Sequence, residues 1–165
     1  MPKNSQDNAP RDYEIKSYGP GDVASTELTA CLSIIKAGGA VNPDSAKNEL
    51  PQAIVVALAR IGDKIVGVGA IRRVRPTSAF AIADRSRFPL PQETRELGYV
   101  AVDSNHRNKG LSLSIVRELL LRHKGRLFAI TSNEYMKKTL TKAGFAQAGH
   151  EWNGGRGLLS LWMRG

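Results

Sequence analysis

Apolar positions recur with helical spacing at two places near the start of the chain. Between residues 22 and 36 they repeat every three or four positions, which predicts an amphipathic helix that Gly38 and Gly39 end. A weaker pattern of the same kind predicts a helix over residues 44–50. Short runs rich in Val, Ile and Leu instead predict strands over residues 13–18, 53–61, 64–74, 96–102 and 127–131, with one or two more from Phe145 onward.

Two connections between these elements indicate the kind of sheet they form. Gly62 and Asp63 separate two strands by two residues, which predicts an antiparallel hairpin. The strand over residues 96–102 is followed by a predicted helix over residues 111–123 and then by the strand over residues 127–131. A strand, helix and strand in this order are typical of a parallel pair, so the sheet is expected to be mixed.

Two further segments remain to be assigned, and the length of the chain then indicates the number of domains. Residues 133–143 are predicted to form the last helix, which Gly144 ends, and residues 75–92, with three prolines and no clear periodicity, are interpreted as a loop with room for a short helix. A length of 165 residues suits one α/β (α+β) domain with helices on both faces of the sheet. We place it at residues 12–165, after a polar tail at residues 1–11 that we expect to be disordered or tag-like and to which we assign no function.

The composition narrows the class of protein and of partner. Apolar residues make up 41% of the chain, which excludes an intrinsically disordered protein. The net charge of +9 favours anionic partners such as a nucleotide cofactor, nucleic acid or acidic lipid. No apolar run is long enough to cross a membrane, and we expect a cytoplasmic protein. The single cysteine, Cys31, excludes an internal disulfide, and its apolar neighbours indicate a buried thiol rather than a nucleophile.

The turn after the strand at residues 96–102 carries candidate binding chemistry. Gly110 stands between the cations Arg107 and Lys109 and the start of an amphipathic helix. Several main-chain N–H groups converge at such a turn, and together with the helix dipole they form a site for an anion. The spacing fits neither a Walker loop nor a G-x-G-x-x-G fingerprint. The residues alone leave open a basic turn that only caps the helix.

Three segments in order resemble the GCN5-related N-acetyltransferases. The sequence from Arg107 to Ser112 resembles their R/Q-x-x-G-x-G/A pyrophosphate motif, with Ser112 where Gly or Ala is usual. The strand before it and the stretch from Ser132 to Phe145, which is similar to the family's N…GF segment, extend the match. The resemblance runs from about residue 12 to the end and is strongest over residues 96–145.

This resemblance implies a mostly antiparallel sheet and an acetyltransferase activity. Acetyl-CoA would be the co-substrate, a primary amine the acceptor, and no metal would take part. The residues implied to bind the cofactor through pantetheine, pyrophosphate and a further contact are Val100, Ala101, Val102, Arg107, Asn108, Lys109, Gly110, Leu111, Ser112 and Asn133.

Glu96 is the candidate general base, because some family members keep a glutamate at this place on the strand. By strand alternation it shares a face with Gly98, Val100 and Val102. An exposed glutamate paired with an arginine is the alternative interpretation. Leu140 stands where many members carry a tyrosine acid, and it cannot donate a proton. The nearby Tyr135 faces another side of the helix, and His106 and His150 are further candidates.

The segment before the strand at residues 96–102 is rich in arginine. This composition bears on which acceptor the protein would bind. Such side chains suit an anionic acceptor or an RNA, although a solvated surface gives the same composition. A non-catalytic acyl-CoA-binding or nucleic-acid-binding module with the same fold is the alternative function, and the chain is expected to be a monomer or homodimer. The arginines concerned are Arg72, Arg73, Arg75, Arg85, Arg87 and Arg95.

Overall fold

A computed structural model describes residues 12–39, 42–155 and 157–165, so the expected polar tail at residues 1–11 lies outside the described residues. Short 3-10 turns lie at residues 50–52 and 104–106. In chain order the elements are β1 (Tyr13–Tyr18), α1 (Ser25–Gly38), α2 (Pro43–Glu49), β2 (Val55–Ile61), β3 (Lys64–Arg72), α3 (Pro76–Ser86), β4 (Arg95–Val102), α4 (Leu111–Arg122), β5 (Leu127–Thr131), α5 (Glu134–Lys142), β6 (Ala146–Asn153) and β7 (Leu158–Arg164).

The seven strands form one mixed sheet in the order β1-β2-β3-β4-β5-β7-β6. β4 and β5 pair in parallel, through Arg95 opposite Leu127 and Glu96 opposite Phe128. The pairs β1/β2, β2/β3, β5/β7 and β6/β7 are antiparallel. The structure therefore confirms the mixed α/β fold, the hairpin and the parallel strand–helix–strand unit. Within the described residues, no helix combines the length and the apolar character needed to cross a membrane.

The described part of the chain divides into two compact units, and the first contains its residues from Asp12 to Arg72 together with Tyr99–His123. In it α1 and α2 cover one face of the sheet, where their apolar side chains form a buried cluster with Val56 and Leu58 of β2 and with Val68 and Ala70 of β3. α1 ends at Gly39, whose φ of 73° lies in the left-handed region. The pair of glycines thus ends the helix as predicted.

α4 packs against the first unit's sheet at two glycines of β3. A Cβ atom on Gly67 would lie 2.9 Å from Cδ1 of Ile115, and one on Gly69 would lie 2.6 Å from Cγ2 of the same side chain. Ile115 itself is completely buried. The absence of side chains at these two positions lets the helix axis approach the sheet closely, and this approach fixes the height of α4 above the strands.

We expect Gly69→Ala to lower the free energy of unfolding by about 1–3 kcal/mol, because the branched Ile115 cannot withdraw from the added methyl group without moving α4. Gly38→Ala is the matched control, since a Cβ there meets nothing within 4 Å and Gly38 has an ordinary helical conformation. Urea unfolding followed by circular dichroism measures both variants. Equal stabilities of the two variants would contradict the close packing.

The second unit contains residues 73–98 and 124–165. In it β7 pairs with both β5 and β6, and Ser160 on β7 forms a buried polar link to the neighbouring strand. The Ser160 hydroxyl donates to the Thr131 carbonyl at 3.2 Å and accepts from the Trp162 indole at 2.9 Å. The fully buried Ser160 is thereby hydrogen-bonded on both sides.

Residues 75–92 were interpreted as a loop with room for a short helix, and in the structure that helix is α3, which takes up residues 76–86. Pro76 occupies the first helical turn, where a missing N–H costs nothing, so it is a start signal rather than a break. Ser86 at the other end is fully buried, and its hydroxyl donates to the Ile82 carbonyl at 2.7 Å. The helix packs against β6, and this tertiary contact compensates for its weak periodicity.

Candidate active site

Asp103 sets the direction in which the chain leaves β4 toward α4. Its N–H donates to the Val66 carbonyl of β3 at 2.8 Å, and its carboxylate accepts from the N–H of Asn105 at 2.9 Å. The N–H of His106 then donates back to the Asp103 carbonyl at 2.9 Å. These three bonds build the 3-10 turn at residues 104–106, so the following loop starts from a fixed point on the sheet.

The loop itself contains two left-handed residues. Asn108 has a φ of 63° and Gly110 a φ of 76°, and Asn and Gly are the residue types that adopt this conformation most readily. A polar turn with such residues directs successive N–H groups to one side, a geometry that binds anions. Arg107, Asn108, Lys109 and Gly110 are all exposed, so the sequence-predicted loop is accessible from solvent.

The N-cap residue of α4, like those of α1 and α3, makes no side-chain hydrogen bond to the helix, whereas those of α2 and α5 do. Asn42 caps α2 by accepting from the N–H of Asp44 at 2.8 Å, and Asn133 caps α5 by accepting from the N–H of Met136 at 2.9 Å. At α4 the N-cap is Gly110, which provides no side-chain acceptor. The first N–H groups of a helix have no partner within the helix, so those of α4 point toward the loop without a side-chain cap from Gly110.

Arg107 is anchored to the end of β4. Its Nε donates to the Val102 carbonyl at 3.2 Å. This bond orients the guanidinium and leaves its two terminal nitrogens to bind another group, which is the fork that a phosphate accepts. Lys109, two residues later, adds a second exposed positive charge.

Tyr99, in the middle of β4, is a feature that sequence analysis missed. Its φ of 58° is unusual for a large residue in a strand, and Tyr99 is nevertheless buried. Its hydroxyl lies 3.1 Å from the Ser45 hydroxyl, and the Arg72 guanidinium stacks over its ring at 5.4 Å. Arg72 is held in turn by Glu49 at 3.6 Å. A chain of contacts from α2 and β3 therefore fixes the strained residue.

Glu96 lies half-buried on β4, three residues before Tyr99, whose left-handed conformation bends the strand. Its carboxylate is close to Gly98, because a Cβ atom on Gly98 would be 3.9 Å from Oε2. These two residues share a face, as strand alternation predicts. The left-handed conformation of Tyr99 interrupts the alternation, so counting by twos no longer relates Glu96 to Val100 and Val102.

α5 contains the position where the resemblance expects an acid. Leu140 is completely buried, and its carbonyl accepts from the N–H of Phe145 at 2.9 Å, so the residue belongs to the core of the second unit. Tyr135 is 51% exposed and His150 is an exposed residue of β6. Asn133, expected to contact a cofactor, uses its side-chain oxygen to cap α5.

The arginines before β4 differ in their surroundings. Arg72 is engaged with Glu49 and Tyr99, and it therefore stabilises the bend in β4 instead of being a free surface cation. Arg95 is half-buried, and its main-chain N–H donates to the Arg126 carbonyl at 3.1 Å. The remaining members of the segment are exposed, namely Arg73, Arg75, Arg85 and Arg87.

The single thiol lies away from this chemistry, in the core of the first unit. Cys31 is completely buried on α1, and burial, followed by the nearby negative charge of Glu27, raises its pKa to about 12. A thiol in this state is neither ionised nor accessible at neutral pH, so the structure agrees with a packing role. Among the described residues, no group of three or more His, Cys, Asp and Glu side chains is placed to hold a metal ion.

We expect native Cys31 to react with iodoacetamide at least about 100-fold more slowly than an unfolded thiol at about pH 8, because both its exposure and its thiolate fraction are reduced. Mass spectrometry of timed alkylation, with and without denaturant, measures the two rates. Labelling of the folded protein at the unfolded rate would show that the thiol is accessible.

Comparison with known proteins finds one matching family model and a set of solved structures with a similar fold. The sequence model of the acetyltransferase (GNAT) family matches residues 31–145. This range begins at Cys31 within α1, includes the whole of β4, the loop and α4, and ends at Phe145. No curated protein matches the sequence of this chain.

Solved structures with the same fold cover almost the whole chain. ElaA from Escherichia coli is 13% identical with a TM-score of 0.68, over 93% of this chain and 99% of that one. An N-acetyltransferase from Staphylococcus aureus Mu50 is 20% identical with a TM-score of 0.63, over 92% and 96%. FeeM, an N-acyl amino acid synthase from uncultured soil microbes, is 17% identical with a TM-score of 0.67, over 92% and 90%. At these identities the likeness shows the shared fold.

Proposed function

Because this chain belongs to the acetyltransferase (GNAT) family, whose members use an acyl-CoA as co-substrate, we propose that it transfers an acetyl group from acetyl-CoA to a primary amine. The observation that carries the proposal is the exposed loop at residues 107–110. It places two cations and two left-handed residues before the N-terminus of α4, which Gly110 does not cap with a side chain. Such a loop supplies the N–H groups and charges that a diphosphate requires.

Each residue of the loop has a distinct part in this proposal. Arg107 binds a phosphate with its terminal nitrogens while Nε stays on Val102, and Lys109 adds a point charge. Asn108 and Gly110 turn the backbone so that the N–H groups of Leu111 and Ser112 face the diphosphate. The main chain of Val100, Ala101 and Val102 binds the pantetheine arm, and Asn133 makes a further contact through the amide nitrogen that its capping role leaves available.

Glu96 is proposed as the general base. Its carboxylate accepts a proton from the acceptor ammonium, directly or through a water molecule, and the neutral amine then attacks the thioester carbonyl. The attacking nitrogen gives up its second proton to solvent as the carbon–sulfur bond breaks, which yields the neutral amide. Coenzyme A leaves as a thiolate, which is a good leaving group because thiols ionise at a pKa of about 8.5. Leu140 is buried and has no proton to give, so the departing thiolate is not protonated from that position.

The acyl group and the acceptor are the less constrained parts of the proposal. FeeM, one of the structural neighbours, is an N-acyl amino acid synthase, a name that does not restrict the acyl group to acetyl. The exposed arginines Arg73, Arg75, Arg85 and Arg87 favour an anionic amine or an RNA as acceptor. A cytoplasmic location fits the free thiol of Cys31. Either a monomer or a homodimer can perform this chemistry.

A non-catalytic acyl-CoA-binding or nucleic-acid-binding module is the second candidate. It is favoured by Leu140, which fills the usual position of the acid with a fully buried apolar side chain. The two candidates differ in turnover, since both bind the cofactor. Release of free thiol from acetyl-CoA in the presence of an amine panel distinguishes them, and cofactor binding without release from any amine would favour the second.

We expect Arg107→Ala to weaken the binding of coenzyme A by about 10- to 100-fold, because a charge-assisted hydrogen bond to phosphate contributes about 1.5–3 kcal/mol. Arg122→Ala is the matched control, since Arg122 lies at the other end of the same helix, paired with Glu118. Titration calorimetry measures both variants, and pantetheine, which lacks the diphosphate, should bind them equally. An unchanged affinity of Arg107→Ala for coenzyme A would remove this loop from the site.

Replacement of the proposed base gives a kinetic prediction. Glu96→Gln should lower kcat by about 10²- to 10⁴-fold while the affinity for coenzyme A stays the same, because the amide cannot accept the ammonium proton. Glu14→Gln, an exposed strand glutamate, is the control. Thiol release over a panel of neutral and anionic amines measures the rate. A Glu96→Gln rate equal to wild type at every pH would assign the proton transfer elsewhere.

A further inference from the structure

Tyr13, the first residue of β1, contacts the turn that leads into the loop. Its hydroxyl lies 2.7 Å from Nδ1 of His106, and the two rings meet edge to face with their centroids 5.7 Å apart. In the tautomer that carries its proton on Nε2, the Tyr13 hydroxyl donates to Nδ1. A residue 93 positions earlier in the chain thus holds the side chain that directly precedes Arg107.

His106 is the suitable point for such a contact. Of residues 104–110, all of which the structure describes, it is the one that is not exposed. The backbone on its N-terminal side is fixed by the bonds of Asp103, and the loop ends at Leu111, which is 2% exposed and anchors α4 in the core. Between these two fixed points, the Arg107 side chain is held by the end of β4 and the His106 side chain by Tyr13 of β1.

The hydrogen bond between Tyr13 and His106 is not needed for the pairing of β1 with β2. Tyr13 is already paired with Ile61 of β2 through the main chain, in a register that continues without interruption to Tyr18. Its hydroxyl extends from the end of that ladder to the turn, so removing it leaves the strand pairing intact. The contact therefore acts on the loop, where two left-handed residues must be held in order for the N–H groups to converge.

We infer that Tyr13 is a positioning residue for the coenzyme A loop: through His106 it holds the turn before Arg107 in the conformation that binds the diphosphate. The inference rests on the proposed function of that loop. A loop ordered before the ligand arrives loses less conformational entropy on binding, so the contact increases affinity without touching the cofactor. Its expected signature is a change in cofactor binding and KM with kcat unchanged.

Tyr13→Phe tests the inference, because it removes the hydroxyl and keeps the ring that packs on His106. Loss of one such hydrogen bond should raise the Kd for coenzyme A and the KM for acetyl-CoA by about two- to tenfold. Tyr18→Phe is the matched control, since Tyr18 ends the same strand and its ring packs with Lys16 and Arg60 rather than with the turn. It should leave both constants unchanged.

Amide hydrogen exchange of the ligand-free protein gives a second readout that does not depend on turnover. Tyr13→Phe should speed exchange at residues 107–112 by about two- to tenfold and leave the β2–β3 hairpin unaffected. In a double-mutant cycle, Tyr13→Phe should have no further effect once His106→Phe has removed the acceptor, while His106→Asn, which keeps a polar atom at the δ position, should restore part of the affinity.

The outcomes separate this inference from the function on which it rests. Wild-type protein that binds coenzyme A, with a Tyr13→Phe variant unchanged in Kd and in loop exchange, overturns the role of Tyr13 and leaves the function in place. A Tyr13→Phe variant that loses only thermal stability overturns it as well. Wild-type protein without affinity for coenzyme A overturns the proposed function, and the exchange data then decide whether Tyr13 orders the turn.

Discussion

The close approach of α4 to β3 is the constraint on which the candidate site depends. Two glycines of β3 leave no side chains between the strand and Ile115, so the helix has one height at which it packs without a void or a clash. The position of its N-terminus follows from that height. The loop contributes charges and N–H groups, but the packing of α4 in the core of the first unit fixes their position.

β4 shows how a strained backbone is maintained beside such a site. Tyr99 adopts a left-handed conformation although it is large and buried, and its cost is offset by the Ser45 contact and by the Arg72 guanidinium that Glu49 holds over its ring. Arg72, which sequence analysis grouped with the arginines for an anionic partner, thus stabilises the conformation of Tyr99. The bend also ends the regular alternation on which the facing of strand residues was predicted.

Local patterns in the sequence were sufficient for most elements but not for contacts across the sheet. β1 and β5 were predicted at their observed bounds, and the hairpin and the turn before α4 were confirmed, because turn residues and short-range periodicity specify them. α3 was anticipated only as a short helix that the loop at residues 75–92 could contain, because its stability comes from packing on β6. Nothing in the sequence indicated Tyr99 as the left-handed residue, since its neighbour Gly98 pays no steric cost for that conformation.

The net positive charge of the chain is distributed unevenly between the two units. Residues 73–98 and 124–165 hold twelve of the 24 lysines and arginines and five of the 15 acidic residues, which is +7 of the net charge of +9. The segments that carry the loop are therefore nearly neutral, so the diphosphate site that we propose depends on directed N–H groups, Arg107 and Lys109 rather than on the general field. The excess charge lies in the second unit, and its exposed arginines support the anionic acceptor that we propose.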